Sequence, residues 1–281
     1  MTLAATLLAA RFLMGTVCEV LPSGRDAEAA FAEAKRVESM LSTWTEESEL
    51  ARVNRGEATP SLELAALLST VSAWSRRTDR AFDPHVRGLI DIWQTRAEGA
   101  VPEPAAIASA MRDTRIEEGA FGKGYALDRM LARMESREAM IDFGGQLLVR
   151  GSISVRIADP ESREHGVLAF TLTNASLSTS SGSEKTFVVN GRRFSHILDP
   201  RTGQALPPRG SVSVIAGDAL IADILSTALY VMGENEGLGW ADAHGVAAIF
   251  IDPQHTVRRS ARAREQLRDL ELLDRRFSFK D

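Results

Sequence analysis

The chain has 281 residues, 44% of them hydrophobic and 25% charged, with a formal net charge of −5. Those values describe a globular protein and exclude a disordered or fibrous one. So weak an acidic excess gives no support to nucleic acid or an anionic membrane as the main partner. The single cysteine, Cys18, can form no internal disulfide, and no Cys/His cluster has zinc spacing.

The opening stretch, MTLAATLLAARFLMGT, is apolar but has no basic segment before it, is too short to span a bilayer, and is followed by no cysteine at a lipoprotein cleavage position. The expectation is a cytoplasmic protein with no transmembrane segment. Residues 11–21 (RFLMGTVCEVL) read as a β run, closed by Pro22-Ser23-Gly24 as a turn. Asp26 reads as the cap of a helix reaching Leu41, with Ala30, Phe31, Ala34, Val37, Met40 and Leu41 on one face. Residues 61–78 form a second amphipathic helix through Leu64, Leu67, Leu68, Val71 and Trp74. A short helix is expected over 85–95, a broken segment over 98–106 around Gly99, Pro102 and Pro104, and a helix over 123–135.

From 138 to 216 the pattern turns to short β-like runs, and Asn190-Gly191 is a strong hairpin signal because both residues tolerate positive φ. Residues 218–232 return to helix and 246–251 to strand. The charged tail from 256 is expected to be weakly ordered at its end. The fold class is α+β, with largely antiparallel sheets and flanking helices. The chain reads as a single domain over 1–281, or as two intimately packed subdomains.

Four segments carry possible chemistry. Phe121 to Asp128 (FGKGYALD) places glycines and Lys123 before a helix, which suits an anion at exposed N–H groups or simply a strand-to-helix turn. Ser195-His196 leads into Asp199-Pro200-Arg201-Thr202-Gly203, a good turn sequence. His196 there is a general base or a polar histidine bonded to backbone. Asp223 and Thr227, four apart on a helix, share a face and form half of a hard-cation site, or an ordinary acidic helix start with a packed neighbour. Gly144-Gly145 after Asp142 allows close approach of a ligand, or a plain turn.

Taken in order, these segments resemble the ApbE family of flavin transferases. The resemblance is carried by Met14-Gly15-Thr16, Leu41-Ser42-Thr43-Trp44, Ser48-Glu49-Leu50 with Asn54, and Ala81-Phe82-Asp83-Pro84 followed by Gly88-Leu89 and Trp93. It continues through Gly119 to Asp128, Asp142-Phe143-Gly144-Gly145, Ser180-Ser181-Gly182, Ser195 to Gly203, and Asp223 to Thr227. It implies a T-fold-like architecture and a Mg²⁺-dependent reaction. FAD binds, AMP leaves, and FMN is joined through its phosphate to a Thr or Ser of a target flavoprotein. By the same resemblance Asp223 and Thr227 are metal ligands, completed by Ser226 and the carbonyl near Ala120. Met14, Trp44, Ala81, Phe82, Asp83, Glu117, Lys123 and Ile197 line the FAD site, and His196 is the base. Glu117 stands where the family usually has an aspartate. Residue types alone do not separate this transferase from an FAD pyrophosphatase or a non-catalytic FAD-binding protein.

Overall fold

The computed structural model describes residues 8–96, 100–183, 186–267 and 269–280. The apolar start at 1–7 and Gly99, both used above, lie outside the described residues.

The first apolar run folds as two strands rather than one, β1 (Ala9–Leu13) and β2 (Thr16–Leu21). Met14 and Gly15 turn between them at φ +46° and +75°, and alternation across so short a turn reads like one continuous strand. α1 (Arg25–Leu41) buries the expected stripe. Its N-cap is Gly24 and not Asp26, whose carboxylate instead accepts the N–H groups of Glu135 and Ser136 from a distant loop.

α2 (Glu49–Asn54) was not expected; Ser48 caps it by accepting the Ala51 N–H at 3.0 Å. α3 (Leu62–Arg77) and α4 (Arg87–Thr95) follow as read. The segment read as broken holds α5 (Pro104–Ala110), with Pro104 in its first turn, where its missing N–H costs nothing. α6 (Gly122–Leu131) comes next.

The β-rich stretch resolves into β3 (Ala139–Phe143), β4 (Gln146–Arg150), β5 (Ser152–Asp159), β6 (Ser162–Thr173) and β7 (Ser176–Ser181). Then come β8 (Thr186–Val189), β9 (Arg192–Ser195), β10 (Leu198–Asp199), β11 (Gln204–Ala205) and β12 (Ser211–Ala216). α7 (Ala219–Met232) and α8 (Glu234–His244) precede β13 (Ala247–Ile251). The tail is more ordered than its charge suggested, with β14 (Thr256–Arg259), α9 (Ala261–Gln266), β15 (Glu271–Leu272) and β16 (Ser278–Phe279).

Among the described residues, nine strands form one sheet in the order β1-β2-β3-β4-β7-β12-β13-β14-β16. Every neighbouring pair is antiparallel except β14 with β16. The fold is α+β, as expected. Both faces of the sheet's centre are buried, and the period-2 alternation of strands divides the core. Val212, Val214, Ala248 and Phe250 point to one side, where they meet residues of α1, α6 and α7. Ile215, Ala247, Ile249 and Ile251 point to the other, against β5, β6 and α9. A strand covered on both faces needs no polar alternation, which is why β13 reads AAIFI. No helix among the described residues is long and apolar enough to cross a membrane.

α6 and α7 touch at Gly124. A Cβ there would stand 2.4 Å from the Ala219 carbonyl oxygen and 2.8 Å from both Asp223 Cβ and Leu220 Cα. Gly124→Ala is therefore expected to lower the unfolding free energy by about 1–3 kcal/mol through overpacking, read from the midpoint of a urea titration. An unchanged midpoint would mean that the helices separate without cost.

Candidate active site

The site is built around the first turns of α7. Asp128 of α6 receives the orphan N–H groups of Ala219 at 2.8 Å and Leu220 at 2.9 Å, so one helix caps another. Burial, reinforced by Asp218 and Asp223, raises the Asp128 carboxyl to about 6, against the pull of those two N–H bonds. Gln146 of β4 donates to the Ala219 carbonyl at 2.8 Å. Gly124 donates its N–H to Asp223 Oδ2 at 3.0 Å. The lysine turn and the acidic turn of α7 are thus joined directly.

Residues 223, 226, 227 and 230 share one face of α7. Asp223 is buried, and burial lifts its carboxyl above the usual range although Lys123, Gly124 and Ser178 pull it down. Ser226 Oγ lies 3.0 Å from the Asp223 carbonyl oxygen, 3.0 Å from Ser180 Oγ and 3.2 Å from Ser178 Oγ. Its one proton goes to the Asp223 carbonyl, and two serines of β7 stand beside its lone pairs. Thr227 Oγ1 sits 3.4 Å from Ser180 Oγ.

Tyr230, one turn further, carries the helix to the histidine segment. Its hydroxyl accepts the Arg209 N–H at 3.2 Å. A Cβ on Gly182 would fall 2.2 Å from that hydroxyl and 3.1 Å from Ser195 Cβ, so the end of β7, α7 and the end of β9 converge where only glycine fits. Ser195 donates its N–H to the Leu206 carbonyl at 2.7 Å, and Leu206 donates to the Ile197 carbonyl at 2.9 Å. The main chain is clamped on both sides of His196, whose side chain is exposed. The expected turn follows: Gly203 donates to the Asp199 carbonyl at 2.7 Å, and the Gly203 carbonyl accepts Trp93 Nε1–H at 2.9 Å.

A second group comes from the loops after α1 and α3. Trp44 is 72% exposed, with the Arg87 guanidinium 5.6 Å from its ring centre, so it is free to stack and is not a core aromatic. Thr43 donates its N–H to Glu118 at 3.1 Å and its hydroxyl to Glu117 at 3.0 Å. Arg87 also binds Glu117, at 3.0 Å. Glu117 in turn donates its N–H to the Pro84 carbonyl at 2.9 Å, which ties in the Ala81–Pro84 loop. Burial opposes the ionised Asp83 carboxyl, but His85 and Arg80 outweigh it and hold the group below the usual range. Ala81 and Phe82, expected to line the FAD site, are buried at 0% and 1% exposure, next to Asp83 in the chain. Met14 is half-buried at the β1–β2 turn; its methyl lies 3.7 Å from where a Gly122 Cβ would stand. Ala120 and Ile197 are half-buried beside the same core.

A family model for the ApbE family matches residues 14–250. The chain belongs to the ApbE family. An FAD:protein FMN transferase of Klebsiella pneumoniae (strain 342) is 28% identical over 257 residues, covering 80% of this chain and 81% of its own length. Another, from Treponema pallidum (strain Nichols), is 27% identical and covers 95% and 90%. The crystal structure of the ApbE protein of Thermotoga maritima has a TM-score of 0.82 at 26% identity, covering 92% of this chain and 98% of that one. The apo form of the Pseudomonas stutzeri flavinyl transferase ApbE gives 0.80 at 25%, covering 95% and 99%.

Within this ApbE-family chain several contributors escaped sequence reasoning. In the sequence Asp128 reads only as part of a motif, because its partners lie 91 and 92 residues away. Gln146, Arg87 and Tyr230 gave no local signal at all. Glu118 was masked by its neighbour. Its Oε1 serves Thr43, while Oε2 is buried with no hydrogen-bond partner among the described residues. Burial and then the charge of Glu117 raise the Glu118 carboxyl above the usual range. The folded state therefore keeps a proton that the unfolded chain releases, and the associated stability is lost as pH rises. Glu118→Gln is expected to stabilise the protein at neutral pH, with the difference in denaturation midpoint shrinking toward zero as pH falls and the wild-type carboxyl becomes protonated. A difference independent of pH would contradict the assignment.

Proposed function

We propose that this chain is a Mg²⁺-dependent FAD:protein FMN transferase, acting on FAD and on a Thr or Ser of a target flavoprotein. The observation that supports it most is the convergence on α7. One helix face, from Asp223 to Tyr230, meets the Lys123-Gly124 turn at one end and the Ser195-His196 segment at the other. Relatives named FAD:protein FMN transferase match 80% and 95% of the chain.

The donor chemistry fits a hard cation. Asp223 is a buried carboxylate whose ionised form is opposed by burial, Thr227 on the same helix face adds a neutral oxygen, and the family resemblance assigns the Ala120 carbonyl beside them. No group of three His, Cys, Asp or Glu residues among the described residues is placed to hold a metal ion. A cation here would therefore be held by few carboxylates and by substrate oxygens, as suits Mg²⁺. Asp223, Thr227, Ser226 and the Ala120 carbonyl would hold it. Bound there, Mg²⁺ would offset the negative charge on the pyrophosphate.

The residues divide the remaining work. Trp44 offers an exposed face for a flat ring. Lys123 places positive charge beside the phosphates, in a turn fixed by Asp223. His196 takes the proton of the acceptor hydroxyl as its oxygen bonds to the phosphorus of the FMN half. The phosphorus–oxygen bond to the AMP half breaks with its electron pair, and AMP leaves. The exposure of His196 suits an acceptor that arrives on another protein.

Incubation with FAD, MgCl₂ and a Thr-bearing flavoprotein should add the mass of one FMN to that protein and release AMP. FMN and AMP free in solution with no added mass would instead identify a pyrophosphatase. Asp223→Ala is expected to abolish transfer. His196→Ala should slow it by about 10²–10⁴-fold, the usual worth of general-base catalysis, while FAD affinity stays unchanged in equilibrium titration. Transfer at the wild-type rate by either variant would refute the role given to that residue.

A further inference from the structure

β8 and β9 form a hairpin that is not part of the nine-stranded sheet. Asn190 and Gly191 turn between them at φ +50° and +75°, a tight turn with both central residues left-handed. In a two-residue hairpin the pair flanking the turn, Val189 and Arg192, exchanges hydrogen bonds. The next pair, Val188 and Arg193, then directs its main-chain N–H and C=O groups outward. Among the described residues neither has a main-chain hydrogen bond outside the hairpin. The outward N–H of Ser195, by contrast, is taken by Leu206. Among the described residues the β9 edge is closed at its base, and the β8 edge is open at Val188.

The two faces differ. Phe187 and Phe194 stack at 5.7 Å and rest on Trp93 at 5.8 and 6.2 Å, with the Arg96 guanidinium 3.8 Å over the Phe187 ring. This aromatic group anchors one face to α4. Thr186, Val188 and Arg193 are exposed, Val188 at 57%. Arg192 and Arg193 both lie beside the turn and make no ion pair among the described residues. On a chain of net charge −5 they are a local attraction for acidic groups. The strand that carries them ends at Ser195, immediately before His196.

From this arrangement we infer that the hairpin is the docking arm for the acceptor protein. An extended segment that bears the acceptor hydroxyl, flanked by acidic side chains, pairs with the open β8 edge at Val188, and its carboxylates on that face meet Arg193 across the hairpin, with Arg192 adding charge beside the turn. Main-chain pairing sets the register of the segment, and the hairpin aims it toward His196. The inference rests on the transferase reading of the site, and it adds what the acceptor must look like around its hydroxyl.

The test uses the full chain and two labelled synthetic peptides, one alternating threonine with glutamate and the other threonine with lysine. Binding is read by fluorescence polarisation, which needs no turnover. The glutamate peptide is expected to bind about tenfold more tightly than the lysine peptide, through charge complementarity. The double variant Arg192→Glu/Arg193→Glu should reverse that order. Val188→Pro removes only an outward N–H at an exposed edge position and should weaken both peptides. FAD affinity and AMP release without peptide should be the same in all three proteins. Equal binding of the two peptides, or wild-type binding by both variants, overturns the docking arm. Mass gain on the flavoprotein acceptor is measured separately, so a failure of transfer counts against the transferase reading and leaves the binding result standing.

Discussion

The contact between α6 and α7 fixes the geometry of everything around it. It consists of two carboxylates serving main-chain N–H groups across the interface, one running each way, and a glycine that lets the backbones close. Each partner is buried or nearly so, and a buried N–H or carboxylate left unpaired is expensive. The two helices are therefore held in one register and at one distance. Once Asp223 is set, the helical repeat sets Ser226, Thr227 and Tyr230, and Tyr230 in turn meets the segment that carries His196.

Much of the fold was legible because burial leaves a periodic trace. The stripe of α1, the Asn-Gly hairpin and the apolar runs of β12 and β13 all announced themselves. What was hidden depends on features without a local pattern. Met14 takes a left-handed φ without being glycine, so the turn between β1 and β2 was invisible. α5 begins at a proline that looked like a breaker. The tail became strand because β14 and β16 had a sheet edge to join, which no reading of charge could reveal.

The site was legible in its parts but not in its pairings. Glu117 and Glu118 are adjacent and chemically alike, yet the fold treats them differently. Glu117 is held by Thr43 and Arg87, while Glu118 lies among groups that leave one oxygen unsatisfied. The same holds for the hydroxyls of α7: Ser226 and Thr227 look equivalent in sequence, but Ser226 lies 3.0 and 3.2 Å from two serines of β7 and Thr227 3.4 Å from one. Environment, assembled from segments scores of residues apart, made those distinctions.

The parallel pairing of β16 with β14 closes one end of the nine-stranded sheet. Ser278 donates to the His255 carbonyl and Lys280 to the Val257 carbonyl, both at 3.0 Å. These bonds cover main-chain groups that would otherwise be a template for a neighbouring chain. Proteolytic removal of β16 would leave every group of the candidate site in place and still bare that edge, so its first sign would be self-association in concentrated solution and not a loss of turnover.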